Sequence, residues 1–137
     1  NNGLWNNTDT TASVFRVGTD TEVNQSGQTY IAYLFASLAG ISKVGSFSGS
    51  TGNVVNVECG FAPRLVLIKK SNGTGNWLLF DTVRGIVSGN DAKIQLDLTD
   101  PQNSATDYID PYSTGFSLSL DTEINENGKS FIFYAIA

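Results

Sequence analysis

Apolar residues recur at every second position along most of this chain, and that alternation predicts β-strands. The longest run, residues 28–38, has apolar side chains on both faces. This is typical of a strand covered on both sides or lying in an oligomer interface. No long window shows the 3.6-residue period of an amphipathic helix. We predict an all-β, jelly-roll-like fold, a two-sheet antiparallel β-sandwich of about nine strands. The predicted strands are residues 13–17, 28–38, 42–48, 54–58, 64–70, 77–80, 93–98, 116–120 and 129–136.

One part of this sequence is an internal repeat. Residues 13–36 align without a gap with residues 114–137, at an offset of 101 positions, and nine of the 24 pairs are identical. An internal repeat predicts a repeated structural unit, here a terminal hairpin with a turn between two apolar runs. The identical pairs are Phe15/Phe116, Asp20/Asp121, Thr21/Thr122, Glu22/Glu123, Asn24/Asn125, Gly27/Gly128, Ile31/Ile132, Tyr33/Tyr134 and Ala36/Ala137.

The length of 137 residues fits one domain. We predict a single β-sandwich domain over residues 1–137, with residues 1–12 as a polar, irregular lead-in. The two hairpins are then pseudo-symmetric partners within it. The alternative is that the first hairpin reaches into an adjacent subunit. Under either hypothesis its apolar faces must be covered, because an unpaired hairpin is an aggregation hazard.

Composition and charge exclude several classes of partner. The net charge is −5, whereas nucleic-acid binding requires a basic face. No apolar run approaches the ~18 residues of a membrane span, so we expect no membrane insertion. The chain has one cysteine, Cys59, which cannot form an internal disulfide.

The residue types needed for common catalytic sites are missing. The chain contains no histidine, which removes Ser-His-Asp triads, Cys-His pairs and histidine metal sites. The repeated carboxylates Asp20/Glu22 and Asp121/Glu123 are more simply explained by the hydrogen bonds of the turn than by a glycosidase pair. We therefore predict a protein that is not an enzyme, with no catalytic residue and no cofactor.

Two sets of side chains are candidates for ligand binding. Aromatic rings beside polar loops can stack on sugars, although a ring in a β-protein is more often part of the core. The aromatic candidates are Trp77, Tyr108 and Tyr112. Hard oxygen ligands in a loop can hold Ca²⁺, but no EF-hand spacing is present and acidic loops are usually just solvated, so we predict no metal site. The weak calcium candidates are Asp97, Asp100, Asp107 and Asp110.

Five motifs give the chain a resemblance to a known family. Through them, about residues 28–137 resemble a domain that recurs in phage tail-fibre and other virion-surface proteins, notably of marine and cyanobacterial phages. The stretch 89–112 departs from that family's pattern, so the resemblance assigns no ligand loop there. The motifs are Gly60-Phe61-Ala62-Pro63, Ile68-Lys69, Trp77, Phe80-Asp81-Thr82-Val83-Arg84-Gly85, and Asn125-Glu126-Asn127-Gly128 followed by Phe131.

The resemblance implies a non-enzymatic structural or adhesion module of a phage particle, such as a tail fibre, capsid fibre or decoration protein. It implies a location at the virion surface and partners that are further copies of the chain or other virion proteins. A carbohydrate-binding module that recognises host surface glycans is the alternative. Within the fourth motif, Asp81 and Arg84 lie three residues apart in a turn. We expect them to pair and to fix the loop against Gly85.

Overall fold

All named strands of the described residues lie in the second of two compact units. The computed structural model describes residues 2–11, 13–50 and 52–137. Unit 1 falls within residues 1–34 and unit 2 spans residues 35–137. The helices are single turns, α1 (Asn2–Trp5), α2 (Thr21–Asn24) and α3 (Thr122–Asn125). The strands are β1 (Ser42–Ser48), β2 (Val55–Glu58), β3 (Leu65–Lys70), β4 (Trp77–Asp81), β5 (Asp91–Gln95), β6 (Asn103–Thr106), β7 (Ile109–Tyr112), β8 (Gly115–Leu118) and β9 (Ser130–Ile136).

Unit 2 is a β-sandwich of two antiparallel sheets, which confirms the predicted fold class. The larger sheet has the strand order β1-β9-β3-β4-β5-β6, and the smaller one has the order β2-β8-β7. Their inner faces enclose one apolar core. The buried core residues are Val57, Cys59, Val66, Ile68, Leu78, Phe80, Ile86, Tyr108, Ile109, Phe116, Leu118, Ile124, Phe131, Phe133 and Ala135.

The period of two in the sequence produces this core directly. In β3, Val66 and Ile68 are buried, whereas Leu67 between them is only partly so. In β4, Leu78 and Phe80 are buried in the same manner. Each such side chain contributes roughly 1.5–3 kcal/mol by leaving water. The alternation therefore fixes which face of the larger sheet meets the smaller one.

The C-terminal repeat, residues 114–137, is an arch and not the predicted hairpin. We call it the closing segment. Its strand β8 pairs with β2 and β7 in the smaller sheet, whereas β9 pairs with β1 and β3 in the larger one. Helix α3 connects the two strands. Six of the fifteen core residues lie in this segment, so the closing segment joins the two sheets and fills much of the space between them.

The N-terminal repeat, residues 13–36, forms no strand, so the predicted strands 13–17 and 28–38 are wrong. We call it the leading segment. Its backbone is irregular around α2, and nearly all of its residues are exposed. A β-strand needs a neighbour to take its backbone hydrogen bonds. In unit 2 the position between β1 and β3, which the equivalent strand of the C-terminal repeat occupies, is taken by β9. Unit 1 is held by backbone bonds such as Gly18 N–H to the Leu4 carbonyl, 2.8 Å.

The number of strands agrees with the prediction, but the set differs. Strands β6 and β7 lie in the polar stretch that follows residue 98, where no strand was predicted. All but the last residue of β6 are exposed, and β7 contains Pro111, so neither shows apolar alternation. Strand β5 begins two residues earlier than predicted and ends three earlier. Leu96 and Leu98, which alternation along the predicted strand would place on its inner face, lie beyond the end of β5 and are exposed.

Candidate functional site

The predicted pair in the turn after β4 is present. The guanidinium of Arg84 forms an ion pair with the carboxylate of Asp81. That carboxylate also accepts hydrogen bonds from the backbone N–H groups of Val83 and Arg84, at 3.0 and 2.9 Å. Gly85 follows with φ = 125°, in a region that favours glycine. Asp81 and Arg84 line an open cavity of about 410 Å³ with Arg64 and Ile136.

The three candidate aromatic residues do not share a surface. Tyr108 is buried, with its ring 5.7 Å from that of Phe80, so it cannot offer a face to a sugar as predicted. Trp77 is partly exposed at the start of β4. Tyr112 lines a cavity of about 240 Å³ beside Thr82, which follows the end of β4. Trp77 and Tyr112 therefore lie toward opposite ends of that strand.

The four calcium candidates do not form a metal site. Asp97 accepts a hydrogen bond from the backbone N–H of Trp77, 3.0 Å, and Asp110 accepts one from Gly89, 3.3 Å. Asp100 is exposed, and one oxygen of Asp107 is buried without a hydrogen-bond partner. Across residues 2–11, 13–50 and 52–137, no three carboxylate, histidine or thiol side chains are grouped to hold a metal ion.

The polar site with the most complete hydrogen bonding was not predicted from the sequence. It is the site that holds α3 in unit 2, and we call it the seat of α3. Asn125 is fully buried. Its Oδ1 accepts from the N–H of Ser50 at 2.7 Å, and its Nδ2 donates to the carbonyls of Asn53 at 2.9 Å and Ser119 at 2.8 Å. The bonds to Ser50 and Asn53 join the closing segment to the connection between β1 and β2. The signals for Asn125 in the sequence were its identity with Asn24 in the repeat and its place in the fifth motif of the family resemblance.

Two ion pairs fasten α3 to the larger sheet. The ammonium of Lys93 lies 2.5 Å from Glu123 Oε2, and that of Lys70 lies 2.6 Å from Glu126 Oε2. Burial is the largest single influence on the pKa of Lys93 and would lower it, but the hydrogen bonds and charge interactions with Glu123 and Tyr108 together outweigh burial, and this pKa is raised. The hydrogen bond from Lys70 lowers the pKa of Glu126.

A buried carboxylate connects the two sheets near this seat. Asp91 in β5 accepts hydrogen bonds from the backbone N–H groups of Tyr108 at 3.0 Å and Ile109 at 2.8 Å. Burial raises the pKa of Asp91, and these bonds partly oppose the shift. Asp107 has a raised pKa for the same first cause, with the negative charges of Asp110 and Asp91 adding to it.

The thiol of Cys59 is a core group and not a reactive one. Its side chain is buried, and burial is the main cause that raises its pKa to about 11. A thiol with this pKa is almost wholly protonated at neutral pH, and the thiolate is the reactive form.

The leading segment reproduces the local geometry of the closing segment although it lies in no sheet. The carboxylate of Asp20 accepts from the N–H of Glu22 at 2.9 Å, as that of Asp121 accepts from Glu123 at 2.8 Å. The amide of Asn24 donates to the carbonyl of residue 18 at 2.9 Å, the equivalent of the Asn125–Ser119 bond. The φ angles of the equivalent glycines 27 and 128 are 77° and 73°. This cap-helix-turn geometry is therefore encoded locally, and it confirms that the repeated carboxylates at positions 20 and 121 serve the turn.

Comparison with known proteins gives one match. A family model described as a domain of unknown function (DUF7483) matches residues 1–137. No curated protein matches the chain, and no solved structure does. Within the described residues, no helix is long and apolar enough to cross a membrane.

Proposed function

This chain belongs to the DUF7483 family, and we propose that it is a non-enzymatic structural and adhesion module of a phage particle. It would belong to a tail fibre, a capsid fibre or a decoration protein at the virion surface. It would associate with further copies of itself, or with other virion proteins, through the faces of its strands. The sequence resemblance to virion-surface domains supports the phage setting.

One observation carries the proposal, the apolar outer face of the larger sheet. In most antiparallel sheets one face is packed on the core and the other is polar. Here the face that points away from the core is apolar on four neighbouring strands. Exposed apolar patches on a folded domain mark interaction surfaces. The apolar residues of this outer face include Val44, Leu67, Trp77, Leu79, Ile132 and Tyr134, and the polar residues Ser46 and Lys69 lie on the same face.

The outer face is only partly covered within unit 2. The ring of Phe35 packs against that of Tyr134 at a tilt of 37°, with ring centres 4.5 Å apart. Ile132 remains 41% exposed and Val44 40% exposed. Covering such side chains gains about 25 cal/mol per Å² of apolar surface removed from water. A partner that packs against this face would therefore be stabilised mainly by apolar burial.

The experiment places a charge on this face. Light scattering coupled to size exclusion should show the chain as an oligomer that dissociates on dilution. Ile132→Glu should shift it to monomer, because a charged side chain would have to leave water when the interface forms. Val83→Glu is the matched control, since Val83 is 89% exposed in the turn after β4, and it should leave the oligomer intact. A monomer at every concentration would contradict assembly through this face.

The phage setting has its own test. Mass spectrometry of purified particles of the encoding phage should find peptides of this chain among the structural proteins. Their absence from intact particles would contradict the setting, whatever the oligomeric state.

The carbohydrate-binding alternative has less support. Sugar binding would depend on Trp77 and Tyr112. These two residues lie toward opposite ends of β4 and cannot both contact one sugar. Stacking sites usually combine aromatic faces with polar groups directed at the same ligand, and the two residues lack such a common surface.

A further inference from the structure

The leading segment keeps the core residues of the closing segment but does not bury them. Phe15, Val17 and Tyr30 are 40%, 37% and 46% exposed. Their equivalents Phe116, Leu118 and Phe131 are each 0% exposed. Together with Trp5 and Val23, the three exposed side chains line an open groove of about 790 Å³ within unit 1. The leading segment therefore exposes apolar side chains whose equivalents in the closing segment are buried in a core.

The polar residues that seat α3 are retained as well. Glu22 and Asn24 are identical to Glu123 and Asn125, which in unit 2 bind Lys93 and the β1–β2 connection. In unit 1 both are exposed. Within unit 1 Asn24 serves the turn through its bond to Gly18, but the turn alone does not require Glu22 or the whole set of identical residues. Their retention indicates that the leading segment is built for a seat like that of α3.

We propose that the leading segment is the closing segment of another unit of this fold, and that a segment of the same type as residues 37–113 occupies its groove. This acceptor would supply strands equivalent to β1 and β3 for residues 29–35, and strands equivalent to β2 and β7 for residues 14–17. It would also supply an ammonium group for Glu22 and a backbone N–H for Asn24. The inference does not depend on the proposed phage setting.

The acceptor is a segment joined N-terminally to the leading segment and not a second copy of this chain. In a second copy, the seat beside β1 and β3 is already filled by that copy's own β9. The repeat also sets the order along the polypeptide. A unit that ends at Ala36 is followed within a few residues by β1 of unit 2, so two units would follow each other head to tail.

Three differences between the segments describe the acceptor further. Gly115 lies so close to β2 that a Cβ there would be 1.8 Å from the carbonyl oxygen of Val57, and the leading segment has valine at the equivalent position 14. Side-chain size also changes at two neighbouring inner positions. Ala32 stands where the closing segment has the larger Phe133, and Leu34 stands where it has the smaller Ala135. The acceptor should therefore stand farther from position 14. It should also carry a larger residue where unit 2 has Gly45, the residue that faces Phe133.

The test is an extended chain in which residues 37–115 are joined directly to residues 15–137. Phe116 and Phe15 are equivalent, so the junction preserves the natural spacing and avoids the valine at position 14. Hydrogen exchange should show the amides of residues 29–36 slowed by about 100-fold or more relative to the chain of residues 1–137. Both chains are compared at concentrations at which light scattering shows them to be monomeric.

A matched pair of variants in the extended chain separates specific seating from general collapse. Tyr30→Asp, at the position equivalent to the buried Phe131, should abolish the protection of residues 29–36. Ile31→Asp, at the position equivalent to the exposed Ile132, should keep it. Neither should matter in the chain of residues 1–137.

Each other outcome overturns the proposal. Residues 29–36 that exchange equally fast in both chains would show that this acceptor does not seat them. Protection already present in the monomeric 1–137 chain would assign the groove to the chain itself, and protection that appears only on dimerisation would assign it to a second copy. If the extended chain fails to fold, Ala32→Phe with Leu34→Ala restores the closing-segment residues. If only that version folds, the junction itself permits folding. The native leading segment then does not fit the acceptor, and the proposal is wrong.

Discussion

At the scale of single residues, the carboxylates of Asp91 and Asp107 between the sheets differ in how well the fold supplies them with hydrogen-bond partners. Asp91 has three backbone N–H donors, which offset much of the cost of its burial. Asp107 has a buried oxygen without a partner and is close enough to Asp91 and Asp110 to have its pKa raised by them. An unpaired buried oxygen costs about 1–3 kcal/mol, so Asp107 should reduce the stability of unit 2 at neutral pH.

Asp107→Asn should therefore raise the free energy of unfolding at pH 7 by about 1 kcal/mol. The pKa of Asp107 is raised in the folded state, so its protonated form favours folding. That stabilisation is complete below the unfolded pKa of about 3.9 and is lost as the pH rises through the folded pKa. The gap between variant and parent should thus close as the pH falls from 7 to 4.

Urea unfolding at several pH values measures this difference. Asp100→Asn is the control, because Asp100 is exposed in the same polar stretch, and its effect should stay within about 0.5 kcal/mol. A variant at position 107 that is no more stable than the parent at pH 7 would refute the assignment.

At the scale of elements, the one-turn helices α2 and α3 have the same geometry but different surroundings. Both have an aspartate cap and the same side-chain bond to the residue 6 positions earlier. Only α3 is docked, through Asn125 and the two ion pairs. The contribution of docking can therefore be separated from that of the local turn by comparing equivalent substitutions.

Asn125→Ala should lower the stability of unit 2 by about 3 kcal/mol, because it removes a buried amide and its three hydrogen bonds to backbone groups of Ser50, Asn53 and Ser119. Asn24→Ala should cost less than about 1 kcal/mol, because Asn24 is exposed and its bond to Gly18 is local. Trp77 fluorescence in a Trp5→Phe background reports the unfolding of unit 2. Equal losses for the two variants would show that α3 is not held by this seat.

The elements also show how far the sequence could predict the fold. Strands β1 to β4, β8 and β9 follow from apolar alternation, which reports burial directly. Strands β6 and β7 could not be found in this way, because neither has apolar residues at alternate positions, although Ile109 at the start of β7 is buried in the core. Residues 13–17 and 28–38 have the alternation of strands and form none, since pairing depends on a neighbour that a local pattern cannot reveal. The pair of Asp81 and Arg84 was predictable from spacing, whereas the seat of Asn125 depends on residues more than 70 positions away.

At the scale of the whole molecule, the chain consists of an ordered sandwich and a leading part with exposed apolar side chains. A protease should detect this difference, because cleavage requires locally open backbone. Limited digestion with chymotrypsin should cut first at Tyr30, Tyr33, Leu34 or Phe35, all of which are exposed. A resistant fragment of about residues 36–137 should remain, as identified by mass spectrometry. First cuts within β3 or β4 would contradict this division.

The position of β9 has a consequence for synthesis of the chain. This strand lies between β1 and β3, and its pairs with β1 join residues 82 to 94 positions apart, from Ser48↔Ser130 to Ser42↔Ile136. Closing such long loops makes folding slow. During synthesis on the ribosome, β1 and the edge of β3 have no strand to pair with until β9 has emerged. Their apolar side chains stay exposed until then. The nascent chain is most exposed to aggregation during that interval, and a chaperone would act most usefully there.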